Sequence, residues 1–387
     1  MITTKISHNK LIKQHLDILK NLEYESGLFA ASKKESTTGY NAAWLRDNFY
    51  TCLAFERLGD WETVRKTYRA ILNIFIKHEY KLDWAIKKKP TTKYEYLHPR
   101  YHPETFDEFW EDWGNKQNDS IGSVLFKIGE LEGIKGIKIL ETDDDVRVVQ
   151  KLVDYLASIQ YWCDEDSGMW ENEEEVHASS IGACLAGLEM IKEHTKIRVP
   201  QKLIENGRES LNKLLPRESK RKFVDLALLS LIYPYNIVTK KQAKEILKNV
   251  EYHLVKRKGV IRYRNDWYYN KNPDGYSEEA EWTFGFSWLA IIYEQLKNKR
   301  KANYYLKKAM GTITKEGIPE LYYSHTDKYN ENVPLGWAES LFIVALYNIN
   351  EKHMKKGIKK TIVKYKKTKH NKKVREVTIH AKRYNKR

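Results

Sequence analysis

Phe284-Gly285-Phe286-Ser287-Trp288-Leu289-Ala290-Ile291-Ile292-Tyr293 carries apolar side chains at nearly every position, so a helix built from it has no polar face. Such a helix is stable only when protein surrounds it on all sides. Ile181 to Leu188 has the same character, and both belong to a class of stretches at 48–58, 120–131, 177–191, 223–233, 281–296 and 335–349. A second class alternates with the first. Segments 60–78, 144–161, 200–215, 239–254 and 299–314 place apolar residues three and four apart, as in Val146, Val149, Val153 and Leu156, with Lys and Glu between them. One class must be enclosed and the other needs one wet face, so the alternation predicts about a dozen helices arranged as an inner ring wrapped by an outer ring.

The fully apolar stretches begin near residues 46, 118, 174, 222, 277 and 333. Six helical hairpins of similar length predict an all-α fold, an (α/α)6 barrel. A tetratricopeptide-type solenoid repeats at about 34 residues, much shorter than these intervals. The longest interval, the first, contains residues 94–114, rich in aromatics, His and Pro, predicted to form a loop over one barrel end. No Gly-, Ser- or Pro-rich linker interrupts residues 1–350, which are read as one domain followed by a basic extension at 351–387.

The formal charge of +16 suggests a nucleic-acid partner until it is localised. Residues 351–387 hold 16 Lys and Arg against Glu351 and Glu376, a net of +14, which leaves +2 for residues 1–350. Two β-prone runs around Ile362 and Ile379 make the extension a basic hairpin or a frayed terminus, and without a nucleic-acid motif it reads as solvated rather than as a binding arm. Cys52, Cys163 and Cys184 are unpatterned, which argues against a disulfide scaffold or zinc site and for a reducing compartment. Met1 to Leu16 has no apolar core and no stretch of some 18 apolar residues occurs, so the expectation is a cytoplasmic protein with no membrane partner. His98 and His102, in the Pro-rich loop, lack a Cys partner; no metal and no cofactor is expected.

Eleven Trp, 26 Tyr and 11 Phe exceed ordinary packing needs and fit stacking on sugar rings, with core packing as the default alternative. Two glutamates sit in apolar, aromatic-flanked turns, Ser167-Gly168-Met169-Trp170-Glu171 and Gly317-Ile318-Pro319-Glu320, each followed by an apolar helix. Paired carboxyls of this kind suit glycoside hydrolysis, in which one protonates the leaving oxygen and the other activates water or attacks the anomeric carbon. Trp44, Arg46 and Asp47, then Asp119, Trp170, Arg262 with Asp266, Trp282 and Trp337 all fall just before or at the start of an inner helix. In an (α/α)6 barrel those starts converge at one end, so these segments are expected to line one pocket.

Five of these segments, in order, carry a family resemblance that covers residues 27–349. Gly27-Leu28-Phe29 with Trp44-Leu45-Arg46-Asp47-Asn48, Gln117-Asn118-Asp119-Ser120-Ile121-Gly122, Gly168-Met169-Trp170-Glu171, Arg262-Tyr263 with Asp266 and Tyr268-Tyr269, and Gly317-Ile318-Pro319-Glu320 with Pro334-Leu335-Gly336-Trp337-Ala338 resemble the motifs of glycoside hydrolase family 15, the glucoamylases. Non-secreted relatives include the glucoamylase-like domain of phosphorylase kinase regulatory subunits. The resemblance implies that Glu171 is the general acid and Glu320 the general base of an inverting, exo-acting α-glucosidase. It assigns Arg46 and Asp47 to the non-reducing-end glucose, with Trp44, Asp119, Trp170, Arg262, Asp266, Trp282 and Trp337 as further substrate-binding residues. Asn172 departs from the pattern, where many members place an acidic residue, and the chain shows no β-sandwich or starch-binding module. Soluble α-linked oligosaccharides are therefore the expected substrate, rather than raw starch. Two other classes stand beside this reading: a catalytically silent sugar-sensing barrel, and a polyanion binder acting through the basic extension.

Overall fold

A computed structural model describes residues 8–111, 113–271 and 278–350. The helices are α1 (His8–Leu22), α2 (Leu45–Leu58), α3 (Trp61–Lys77), α4 (Glu79–Lys87), α5 (Asn118–Gly129), α6 (Asp143–Ile159), α7 (Ala178–His194), α8 (Gln201–Leu214), α9 (Lys240–His253), α10 (Phe284–Gln295) and α11 (Lys299–Met310). A last helix, α12, covers 336–350. The inner ring is α2, α5, α7, the 3-10 segment Leu226–Leu231, α10 and α12; from Ala178 to Leu188 and from Phe284 to Tyr293 every residue is buried. Helices α1, α3, α6, α8, α9 and α11 wrap it with one face buried, giving the (α/α)6 barrel.

Two helices were not legible as ring members. Helix α1 completes the outer ring by burying Leu11, Ile12, His15, Leu19 and Leu22. Helix α4 is a short addition after α3 that buries only Lys81, Leu82 and Ala85. The stretch expected as a helix at 223–233 is shorter and tighter. Asp225 is drawn into an antiparallel bridge with Tyr263, and Pro234, which lacks an N–H, closes the far side, so only the six residues Leu226–Leu231 wind, as 3-10 helix.

The two rings also start differently. Four outer helices, α3, α6, α9 and α11, carry side-chain caps: Asp60 accepts from the Thr63 N–H, Asn298 from Lys301, and Thr142 and Thr239 form capping boxes with Asp145 and Gln242. The inner helices α2, α5, α7 and α10 have no such side-chain cap. Other elements meet their first N–H groups instead: the Pro99 carbonyl accepts from Leu45, Asp166 from Asn118 and Glu218 from Ser179. This ties each inner start to the loops around it.

Helices α5 and α7 approach most closely, because a side chain at Gly122 would lie 2.4 Å from the Ala183 carbonyl carbon and one at Gly187 2.5 Å from the Gly122 oxygen. At the opening of the barrel two short antiparallel ribbons tie distant hairpins together. Strand β1 (Ala43–Trp44) pairs with β2 (Arg100–Tyr101), and β3 (Glu281–Trp282) with β4 (Leu321–Tyr322). The predicted loop at 94–114 is thus stitched to the strand that leads into α2. The basic extension, with its hairpin reading, lies outside the described residues.

Candidate active site

A cavity of about 430 Å³ opens at the end where the inner helices begin, within the range usual for small-ligand sites. Trp44, Arg46, Asp47, Trp170, Glu171, Arg262, Trp282, Glu320 and Trp337 all line it, together with Tyr40, Arg100, Trp113, Asn172, Trp267 and Tyr268. Residues as far apart in the chain as Tyr40 and Trp337 therefore share one wall. Asp119 and Asp266 are not part of that wall. Each stands behind an arginine: Asp119 accepts from Arg46 Nη1 at 3.2 Å through either oxygen, and Asp266 takes Arg262 Nε and Nη2 in a two-point grip of 2.6 and 2.7 Å. In this structure each of these carboxylates supports an arginine of the cavity rather than lining it.

Glu171 is presented by a tight turn. The Asp166–Glu175 bridge closes its base, the Asn172 N–H returns to the Ser167 carbonyl at 3.0 Å, and both Gly168 and Glu171 adopt left-handed backbone at φ 62 and 61. Gly114 runs against the back of this turn so closely that a Cβ there would sit 2.9 Å from the Glu171 carbonyl oxygen. On the side chain, Oε1 accepts the Trp44 indole N–H at 2.8 Å and lies 3.3 Å from Arg46 Nη2. Burial pushes the Glu171 carboxyl above its ordinary range, with Arg46 and Trp44 pulling the other way.

Glu320 sits at the entry to β4 and is almost fully buried. Oε1 accepts the Tyr40 hydroxyl at 2.7 Å; Oε2 accepts the amides of Asn330 and Asn332 at 2.6 and 2.8 Å. Burial raises its pKa as well, while these three neutral donors favour the ionised form. The two glutamates are linked through their donors, because the Tyr40 and Trp44 rings pack with centroids 5.5 Å apart. Between them Asp47, at the start of α2, is pushed up to about 7 by burial, opposed by Arg46 and reinforced by Glu171 and Glu320.

Stacked rings form the floor. Trp337 lies against Tyr50 at 4.2 Å and Phe284 at 4.6 Å, both nearly coplanar with it, and Trp288 meets it edge-on at 5.8 Å. Trp170 is fixed by its N–H to Asp225 at 2.7 Å and stacks on Trp337. Arg262 spreads its guanidinium over Trp282 at 4.7 Å and Tyr268 at 4.8 Å. The indole N–H groups of Trp282 and Trp337 and the Arg46 Nε are buried with no protein partner among the described residues.

Tyr40, Asn330, Asn332, Arg100 and Trp113 were missed by sequence reasoning. Asn330 and Asn332 alternate along an extended segment, which places both amides on one face, and that spacing was the available signal. Arg100 and Trp113 lie in the aromatic loop, where Arg100 is layered over Trp113 at 4.5 Å and Trp44 at 5.0 Å. Tyr40 stands in an irregular stretch with no periodic cue. Both loop histidines serve their own backbone: His98 Nδ1 accepts from Arg100 and His102 Nδ1 from Glu104 and Thr105. Asn172, the departure from the motif, lines the cavity and donates to the Tyr263 hydroxyl at 2.8 Å.

Comparison with known proteins agrees with this architecture. The chain is 27% identical over 410 residues to the phosphorylase b kinase regulatory subunit alpha, skeletal muscle isoform, of Oryctolagus cuniculus, covering 87% of this chain and 32% of that protein. The liver isoform of Mus musculus is also 27% identical, over 391 residues, with 83% and 31% covered. The chain thus spans about a third of the length of the curated relatives it matches. Among solved structures, a glycosidase superposes with a TM-score of 0.76 at 16% identity, covering 89% of this chain and 97% of that one. The glucoamylase from Saccharomycopsis fibuligera does so at 0.65 and 14%, with 89% and 95% covered. At these identities the structural likeness establishes the fold. The family profile named Glycosyl hydrolases family 15 matches residues 7–377. With that match over nearly the whole chain, the protein belongs to glycosyl hydrolase family 15.

Proposed function

We propose that this protein is an exo-acting, inverting glycoside hydrolase that releases glucose from the non-reducing end of soluble α-glucosides. The observation that carries the reading is that two carboxyls with different hydrogen-bond environments face one aromatic-floored cavity. Glu320 holds both oxygens against neutral donors, which favours the carboxylate that must take a proton from water. Glu171 takes the Trp44 and Arg46 donors on Oε1, which assigns Oε2 as the oxygen that carries the proton to the glycosidic bond. Arg46 and Asp47 grip the hydroxyls of the terminal glucose, and Trp170 and Trp337 offer it flat apolar faces. On this reading the aromatic floor stops the chain beyond that ring, which makes cleavage exo.

The mechanism step is a single displacement. Water attacks the anomeric carbon from the Glu320 side as the glycosidic C–O bond breaks; Glu320 takes the water proton, and Glu171 gives its own to the departing oxygen. Inversion then yields β-glucose from an α-glucoside. A second reading is supported by the names of the curated relatives, which are regulatory subunits: a barrel that binds sugar without cutting it.

Proton NMR of the intact protein with a panel of α-1,4, α-1,6 and trehalose-type glucosides tests both. The expected result is β-glucose appearing first from at least one linkage. Initial α-glucose would mean a retaining mechanism, and glucoside binding without turnover would establish the regulatory reading instead.

A further inference from the structure

The turn that carries Glu320 is held by an acidic side chain outside the cavity. Glu339, in the first turn of α12, is fully buried, and its Oε1 accepts the Ile318 N–H at 2.6 Å, two residues before Glu320. Its other oxygen is hydrogen-bonded to Nδ1 of His15 on α1, also fully buried. His15 packs its ring edge-on against Phe342 at 4.7 Å, and its Nε2 has no partner among the described residues. Gly317, at φ +128, leaves the space that Glu339 fills, since a Cβ there would come within 2.4 Å of Glu339 Oε1.

The rest of the turn is fixed by backbone and hydroxyl groups. The Leu335 N–H donates to the Ile318 carbonyl at 2.9 Å, Thr283 Oγ1 to Pro319 at 2.5 Å and the Thr283 N–H to Glu320 at 3.1 Å, while the Glu320 N–H reaches Asn332 at 3.0 Å. A buried acid–imidazole pair is a weak source of stability, because desolvation offsets most of its attraction. Here it ends on the backbone that aims the proposed base. We propose that Glu339 is a positioning residue for Glu320, and that His15 makes helix α1 part of the base's support. The idea rests on the hydrolytic reading above.

The test compares full-length variants. Glu339→Leu strands the Ile318 N–H; the expected result is a kcat lowered by roughly tenfold or more with KM within about twofold, because small misplacements of a reacting group are costly in rate. The loss should be undiminished with α-glucosyl fluoride, whose leaving group needs little protonation but whose hydrolysis still needs the base. Glu339→Gln should recover most of the rate, since its amide oxygen can accept from Ile318 and its NH2 can donate to His15. Glu339→Ala removes the acceptor with no added bulk, and should reproduce the kcat loss if Glu339→Leu does not fold. Amide exchange of Ile318, followed by NMR, reads the link without any activity: protected in the parent and Glu339→Gln, released in Glu339→Leu and Glu339→Ala. An unchanged kcat in a folded Glu339→Leu, a loss confined to KM, or an Ile318 amide that stays protected would overturn the proposal. A parent protein that cuts no glucoside would sink the hydrolytic reading alone, with amide exchange still deciding whether Glu339 holds the turn.

Discussion

Trp44 donates its indole N–H to Oε1 of Glu171 across 2.8 Å, from the strand that leads directly into the helix bearing Arg46. The bond favours the ionised form of a carboxyl that burial otherwise pushes toward neutrality. Trp44→Phe keeps the aromatic wall and removes the donor, so the Glu171 pKa rises further. The alkaline limb of the pH–rate profile should move upward by on the order of one pH unit, the scale of a hydrogen bond to a charged group. Initial rates from pH 4 to 9 on the best α-glucoside check this.

Asn332→Ala acts on the opposite limb. Losing an amide donor at 2.8 Å from Glu320 Oε2 raises the pKa of the base, so its carboxylate appears only at higher pH. The acidic limb should move up by on the order of one unit while the alkaline limb stays in place. A shift of the alkaline limb instead would reverse the acid and base assignments.

Glu171→Gln and Glu320→Gln should each lower kcat by on the order of 10²-fold or more while glucose binding persists. α-Glucosyl fluoride should partly restore Glu171→Gln and leave Glu320→Gln inactive. Steady-state kinetics with both substrates, alongside calorimetric titration of glucose, separates the two roles.

Asp47 links the site to stability. Its folded pKa of about 7 stands above the ordinary 3.8, so between about pH 4 and 7 the unfolded chain gives up a proton that the folded one retains. Stability from this group is therefore fully present below pH 4 and is lost as pH rises through 7. Asp47→Asn removes the titration. Thermal or urea unfolding should show the variant more stable by about 2–4 kcal/mol at pH 7.5, with the gain vanishing as pH falls below about 4. Its hydrolytic rate should fall, because the carboxylate that grips the sugar is gone.

Much of this fold was legible because burial leaves a direct trace in composition. A helix such as Phe284–Gln295 that is surrounded by protein must be apolar all round, and its alternation with wet-faced partners is what reveals two rings. Helix α1 left a fainter trace, since its buried face includes His15, whose partner Glu339 lies 324 residues away. The segment around Leu226 misled for a related reason: its apolar content reports burial faithfully but says nothing of the bridge to Tyr263 that shortens it. In the site, Arg46 stood out because it opens an inner helix, and Glu171 and Glu320 because each ends an apolar, aromatic-flanked turn that precedes one. The place of Asp119 and Asp266 behind Arg46 and Arg262 was not readable, because a carboxylate that meets sugar and one that meets an arginine look alike in sequence. Tyr40 left no such trace, since only the folded chain brings its hydroxyl to Glu320.

Beneath Trp337 the rings of Tyr50, Phe284 and Trp288 are packed and buried, which on the proposed reading leaves the cavity with its mouth at one end only. On the proposed reading, each released glucose is trapped under the shortened chain that has just been cut. The remainder must withdraw completely before the product can escape through the mouth. Such an enzyme trims one unit per encounter and redistributes its cuts across all chains in solution, so a mixture of equal-length oligosaccharides should shorten together rather than be consumed one molecule at a time, and accumulating glucose should compete with fresh substrate for the same dead end.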